Sequence, residues 1–272
     1  MDLTDLMVQT PALKDWLAAL TPSSRQLITG LQASARGLFL KAVLRARQVP
    51  MLVVTDNMYH ANQLVDELNQ ILPAAQVQQF SVDEVLAAEV AVSSPEARSD
   101  RIQALDLLAN KRPGIVVTAL AGLRRFLPTV ATWQTSGITI QVGGTLEPQQ
   151  LSQQLVNMGY VREQLVGKPG EFAMRGDIVD IYPLNADQPL RIELFDTEVD
   201  SMRQFAADTQ RSLENIDQAT VLPATDFMAT PDQVQAAAVR FEKQYAKAYQ
   251  AAQPADQEGL ELQLLPILAQ LK

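Results

Sequence analysis

Cysteine is absent from this 272-residue chain and histidine occurs once. The first absence excludes disulfides, thiolate zinc sites and a cysteine nucleophile, and it fits a reducing cytoplasm. The second leaves His60 as the sole candidate for a Ser-His-Asp triad or a histidine metal ligand, and no G-x-S-x-G elbow accompanies it. His60 lies on the shoulder of an amphipathic pattern, where a surface or boundary residue belongs. Long apolar runs are also missing, so no segment reaches membrane-spanning length. The N-terminus, "MDLTDLMVQTPALKDWLAAL", lacks the basic start and unbroken apolar centre of a secretory signal. Basic residues are outnumbered, 22 Lys and Arg against 31 Asp and Glu, for a formal net charge of −9. Phosphate contact rests on Lys and Arg. The two local basic spots, Arg45 with Arg47 and Arg124 with Arg125, sit at helix ends or turns. A protein is therefore expected as main partner ahead of nucleic acid.

What is present suits a folded chain: 47% apolar residues and 19% charged ones. That length and composition supply one large core or two to three smaller ones. Up to about residue 128 strand and helix signals alternate. "RQLITG" (25–30) reads as a short strand, and a helix follows over 36–47. "PMLVVTD" (50–56) and "GIVVTA" (114–119) are apolar runs of the kind buried on both faces. "NMYHANQLVDELNQIL" carries one apolar helical face, capped by Asp56 or Asn57. "VQQF" (77–80) is a further strand, 81–93 reads as irregular, and Ser94-Pro95-Glu96 opens another helix. Leu120 to Leu127 reads as a short helix stopped by Pro128. The alternation predicts an α/β fold with an open, mostly parallel sheet.

The pattern changes near 129–137. "ITIQV" alternates, and "TLEPQQLSQQLVNMG" reads as a helix with Thr145 as cap, Leu151, Leu155 and Met158 inward, and Gly159 as stop. Extended segments joined by Gly-, Pro- and Asp-rich turns follow to about 218, predicting a smaller, antiparallel α+β domain. After "ATVLPA", Thr230, Pro231 and Gln233 form a capping-box start for a helix with Val234, Ala238, Phe241, Tyr245 and Ala248 as its stripe. The last stretch, "LELQLLPILAQLK", ends without a capping turn, as a cut inside a larger protein would.

"LITGLQASARGLFLKAVL" (27–44) lies on the frame of a phosphate-binding loop, G-x-x-x-x-G-K-[ST], whose backbone N–H groups cradle phosphates. Gly30 fits. Ala35 replaces the second glycine, Arg36 the lysine and Gly37 the magnesium-binding hydroxyl. No apolar strand ending in paired acids supplies the second magnesium contact. The stretch reads as a degenerate site not expected to bind nucleotide. The acids Asp177, Asp180, Glu193, Asp196, Glu198 and Asp200 alternate with apolar residues, as on the wet face and turns of a sheet, and no metal, cofactor or catalytic residue is assigned.

In "RIELF", period-two alternation puts Ile192 and Leu194 on one face and Arg191, Glu193 and Phe195 on the other. In "EFAMRGD", Ala173 and Arg175 share a face. If the two segments are neighbouring strands, Arg175, Arg191 and Phe195 form one patch with the composition of a protein-binding hot spot. The alternative is that Phe195 is covered by its neighbours and the arginines pair locally with acids.

"GEFAMRGDIVDIYP" followed by "PLRIELFDTEVDSMRQFAADTQRS" resembles the signature of the bacterial transcription-repair coupling factors (Mfd), much of it shared with the excinuclease subunit UvrB. "LITGLQASARGL" resembles a degenerate form of the loop that is intact in UvrB, and "IVVTALAGLRRFLP" the end of UvrB's first α/β lobe. The resemblance implies an N-terminal UvrB-like module: a degenerate P-loop, helicase-like parallel-sheet lobe at 1–128, an inserted α+β UvrA-binding domain at 129–218, and a partial, truncated return to the first lobe at 219–272. It implies an adaptor that recruits UvrA in nucleotide excision repair without ATPase activity of its own, with Arg175, Arg191 and Phe195 as contacts. RNA polymerase and DNA are then met only through other parts of the full protein. The alternative is a UvrB-like, nucleotide-dependent damage-recognition subunit using Arg36.

Overall fold

Parallel strands cannot be joined by a tight turn, so each apolar run in the first part of the chain needs a crossover helix before the next. The computed structural model describes residues 3–31, 34–82, 95–227, 231–253, 257 and 259–262, and follows that rule. Two short helices come first, α1 (Leu3–Gln9) and α2 (Pro11–Ala19). Thr10 caps α2, its hydroxyl accepting from the Leu13 N–H, with Pro11 at the first helical position. Both helices pack on α3 (Ser34–Arg47) through Leu13, Ala42 and Val43, with Trp16 edge-on to Phe39.

Strand β1 (Pro50–Thr55) leads into α4 (Met58–Asn69), whose cap Asn57 accepts from the His60 N–H at 2.9 Å. Strand β2 (Val77–Phe80), helix α5 (Pro95–Ala109) and strand β3 (Gly114–Ala119) complete the unit. The strands form a parallel sheet in the order β1-β3-β2. Every residue of the central β3 is buried. Leu44, Ala61, Leu64, Leu68, Val77, Ile115 and Val117 make the core between helices and sheet.

Past β3 the chain makes a 3-10 turn (Leu120–Arg124), not the expected helix to Leu127. Gly122 lies against β3 there; a Cβ on it would meet Thr118 Oγ1 at 2.2 Å. After α6 (Val130–Gln134) and β4 (Ile138–Gln141), helix α7 (Pro148–Asn157) has its N-cap at Glu147, two residues after the cap expected at Thr145. Pro148, with its preset φ, takes the first helical position. Thr145 instead forms a bridge to Glu198. Leu151, Leu155 and Met158 are buried as the pattern requires, and Gly159 ends the helix at φ +89°.

Seven further strands follow: β5 (Val161–Arg162), β6 (Glu171–Arg175), β7 (Ile178–Ile181), β8 (Leu190–Phe195), β9 (Glu198–Phe205), β10 (Ser212–Asn215) and β11 (Gln218–Val221). A six-stranded sheet runs β10-β9-β8-β7-β6-β5, antiparallel except for β5 with β6. Strand β11 pairs antiparallel with β4 as a separate ladder. The protein is thus a mixed α/β fold with one parallel sheet and further, largely antiparallel ones.

Two compact units emerge, Met1–Asp226 and Phe227–Lys272. The second contains α8 (Pro231–Ala251), in which Ala238 is buried, Val234, Phe241 and Tyr245 are half-buried and Ala248 is exposed. The expected caps Ser94 and Thr230, most of the stretch read as irregular at 81–93, and most of the last apolar segment lie outside the described residues.

The expected strand at 25–30 is not formed. Leu27 is 89% exposed and Ile28 40%, and among the described residues no strand pairs with the segment. A short apolar run gains nothing from an extended conformation without such a ladder.

Candidate functional site

Two tight hairpins join β6 to β7 and β8 to β9, and a β-bulge shifts the β8–β9 register by one residue between Glu193 and Leu194. Arg175 pairs with Ile178 across Gly176-Asp177, with Gly176 at φ +60°; Phe195 pairs with Glu198 across Asp196-Thr197, with Asp196 at φ +58°. Positive φ in two-residue loops matches the twist of the strands they join. Directly opposed residues share a face of a sheet. One row is therefore Ala173, Asp180, Arg191 and Arg203, and the next is Arg175, Ile178, Glu193 and Ser201. Phe195 lies one row further, at the end of β8. The opposite face holds Phe172, Val179, Ile181, Leu190, Ile192, Leu194 and Met202, all buried.

The polar face grades from covered to open. At its covered end Phe205 and Ala173 pack with Val166 and Tyr182. The Arg191 guanidinium carbon lies 4.3 Å from the centre of the Phe205 ring, a cation–π distance. At the open end Phe195 is 77% exposed.

Between the two ends lies a chain of ion pairs. Asp180 is completely buried and accepts from Arg175 Nη2 at 2.6 Å and from Arg191 Nε and Nη2 at 2.7 and 2.9 Å. Arg191 Nη2 also donates to Gln210 Oε1 at 3.1 Å. The hydrogen bond to Asp180 raises the pKa of Arg191. Arg203, from the row of Asp180, donates to Glu193 in the next row, which also accepts from the Ser201 hydroxyl; the Arg203 bond holds the Glu193 carboxyl below its usual range. Three guanidiniums thus face two carboxylates on a chain that is acidic as a whole.

Of the expected contact residues, Arg175, Arg191 and Phe195 do share this face. Both readings of the arginines hold in part: they lie together, and they pair with a local acid. Asp180 departs from its expected place among the solvated acids, because the arginine pair neutralises it inside the sheet face. Asp177, Asp196, Glu198 and Asp200 are exposed, as expected. Among the described residues no three His, Cys, Asp or Glu side chains are grouped to hold a metal. Arg203 and Gln210 of this network escaped the sequence reading, and Asp180 reads there as a wet-face acid. The arginine partners of Asp180 are legible only through cross-strand register, and Gln210, held at φ +59°, gave no signal of its own.

The phosphate-loop candidates are not brought together in a cradle. Gly30 is exposed at φ +84°, while Ala35, Arg36 and Gly37 belong to the first turn of α3. Arg36 is exposed. Gly37 is buried beside Ile71 and Leu68. Positions 32 and 33 of the loop lie outside the described residues.

Residues 138–227 match the family model described as the UvrB interaction domain, which spans the six-stranded sheet and its face. The chain is 43% identical over 208 residues to the transcription-repair-coupling factor of Bacillus subtilis, covering 76% of this chain and 18% of that protein. It is 37% identical over 228 residues to that of Staphylococcus haemolyticus, covering 84% and 19%. Sheet, face and family model together define a protein that carries a UvrB interaction domain. The chain belongs to the family of transcription-repair-coupling factors. It spans about a fifth of the length of the curated relatives it matches.

Proposed function

We propose that this chain is a cytoplasmic adaptor module that recruits UvrA during nucleotide excision repair, with no ATPase chemistry of its own. The docking surface is the open end of the six-stranded sheet, carried by Arg175, Arg191 and Phe195. The observation that carries the reading is the exposure of Phe195 on the same face as two arginines, inside the segment matched by the UvrB interaction domain. Arginines and aromatic anchors dominate interface energetics.

In this reading residues 1–128 form a degenerate helicase-like lobe, 129–218 the inserted binding domain and 219–272 a partial return to the lobe. Contacts with RNA polymerase and DNA belong to other parts of a longer protein. The double substitution Arg175→Ala, Arg191→Ala should weaken UvrA binding by about 1–3 kcal/mol for each central arginine. Isothermal titration with purified UvrA measures this, and wild-type affinity of the double variant refutes the assignment. The second reading, a UvrB-like nucleotide-dependent subunit, draws on the retained Gly30 and the cation of Arg36. Titration with Mg-ATP should give no saturable heat; saturable binding abolished by Arg36→Ala would establish that reading instead.

A further inference from the structure

We infer that Asp180 is a positioning residue of the docking face, holding the Arg175 guanidinium ready for a partner, and that Arg191, one of the three residues carrying that face, serves it as a strut beneath Arg175 and not by touching the partner. The inference rests on the reading of that face as the UvrA-docking surface. It follows from how unequally the two arginines are held. Arg191 is 13% exposed in its side chain, stacked on Phe205, and bound through Nε and Nη2 to Asp180 and Gln210. Gln210 is itself tied to the Val166 and Ala207 carbonyls at 3.0 and 2.9 Å. This anchors the strut to the loop beyond β9.

Arg175 is 42% exposed and gives one N–H to Asp180. A guanidinium has five N–H donors in a planar fork, so most of those of Arg175 remain to meet an incoming acceptor. Freezing a long side chain during association costs entropy, and one that is already tethered costs less. A buried carboxylate also needs its charge matched. Arg191 supplies that match from the covered side and leaves Arg175 with a single bond on the open side. The partner group best suited to the free fork is a carboxylate, which takes two parallel N–H bonds.

A double-mutant cycle on the whole chain, read as UvrA affinity by surface plasmon resonance, separates positioning from plain structural support. Asp180→Asn should weaken binding about tenfold in the wild-type background, as loss of a hot-spot arginine does. Beside Arg175→Ala it should add no more than about a twofold loss, because its effect passes through Arg175. Equal losses in both backgrounds overturn the inference. So does wild-type affinity of Asp180→Asn while Arg175→Ala and Phe195→Ala bind poorly. Wild-type affinity of Arg175→Ala and Phe195→Ala themselves would instead remove the docking-face reading. Should Asp180→Asn fail to fold, Arg191→Gln with Arg175→Ala gives the same cycle, and additive losses there overturn the strut.

Discussion

At the scale of single residues, the fold uses one device twice: a buried carboxylate clamped by two guanidiniums. Asp180 is one case. Asp226 is the other, accepting from Arg101 Nε at 2.9 Å and from Arg125 Nε at 2.5 Å and Nη2 at 3.2 Å. The Arg101 side chain is 1% exposed. Burial pushes the Asp226 carboxyl up, but the hydrogen bond from Arg125 and the charges of both arginines outweigh it, leaving the pKa below its ordinary value of 3.8. A depressed folded-state pKa means that the unfolded chain binds the proton more readily. The stabilisation from Asp226 is thus complete above the ordinary carboxylate range and is lost as pH falls through the lower folded value. Asp226→Asn should cost about 3–5 kcal/mol, as breaking a buried pair does. It should also flatten the acid limb of stability below pH 4, both read from urea unfolding at stepped pH. The outward placement of Phe195 was legible from period-two alternation alone. Neither clamp was, because Asp226 meets arginines more than a hundred residues away and Asp180 meets its partners across strands.

At the scale of elements, legibility tracked how much of the signal is local. The strands at 50–55, 77–80 and 114–119 form where they were expected. Only β3 is the apolar run buried throughout that a strand covered on both faces shows; β1, expected to be the same, is open on one face, with Leu52 49% and Val54 41% exposed, because it lies at the edge of the described sheet. The run at 25–30 has only Leu27 and Ile28 as large apolar residues and forms no strand, since pairing depends on a neighbouring edge that composition does not encode. Helix α7 shows the local case at its end. Gly159 carries φ +89°, and a Cβ there would sit 3.0 Å from Thr225 Cβ, with Ala224 behind it. The Ala224 N–H donates to the Met158 carbonyl at 2.8 Å, so the backbone has no room to retreat. Gly159→Ala therefore meets left-handed strain, of order 1–3 kcal/mol, and an overlap. The expected outcome is a lower urea midpoint with unchanged slope, since the surface exposed on unfolding stays the same.

At the scale of the molecule, the parallel sheet and the six-stranded sheet fall within one compact unit, Met1–Asp226. Polar bonds link their supporting elements: the Ser99 hydroxyl of α5 donates to the Leu184 carbonyl between β7 and β8 at 2.6 Å. The Asp226 clamp joins α5 and the turn after β3 to the chain that leaves β11. Sequence grammar divides this region near residue 129, because the alternation of strand and helix gives way there to antiparallel patterning. It does not register side-chain bonds that reach across the change. If those bonds make the unit cooperative, a break at Asp226 must be felt in both sheets. Native-state hydrogen exchange reads this directly, because core amides report the free energy of the opening that exposes them. In the wild-type chain the amides of Val116 and Val117 in β3 and of Ile192 in β8 should share one opening free energy. Asp226→Asn should lower all three by the same amount. A drop confined to β3 would mean that the two sheets open independently, so that the docking face could be carried by the antiparallel sheet without support from the lobe.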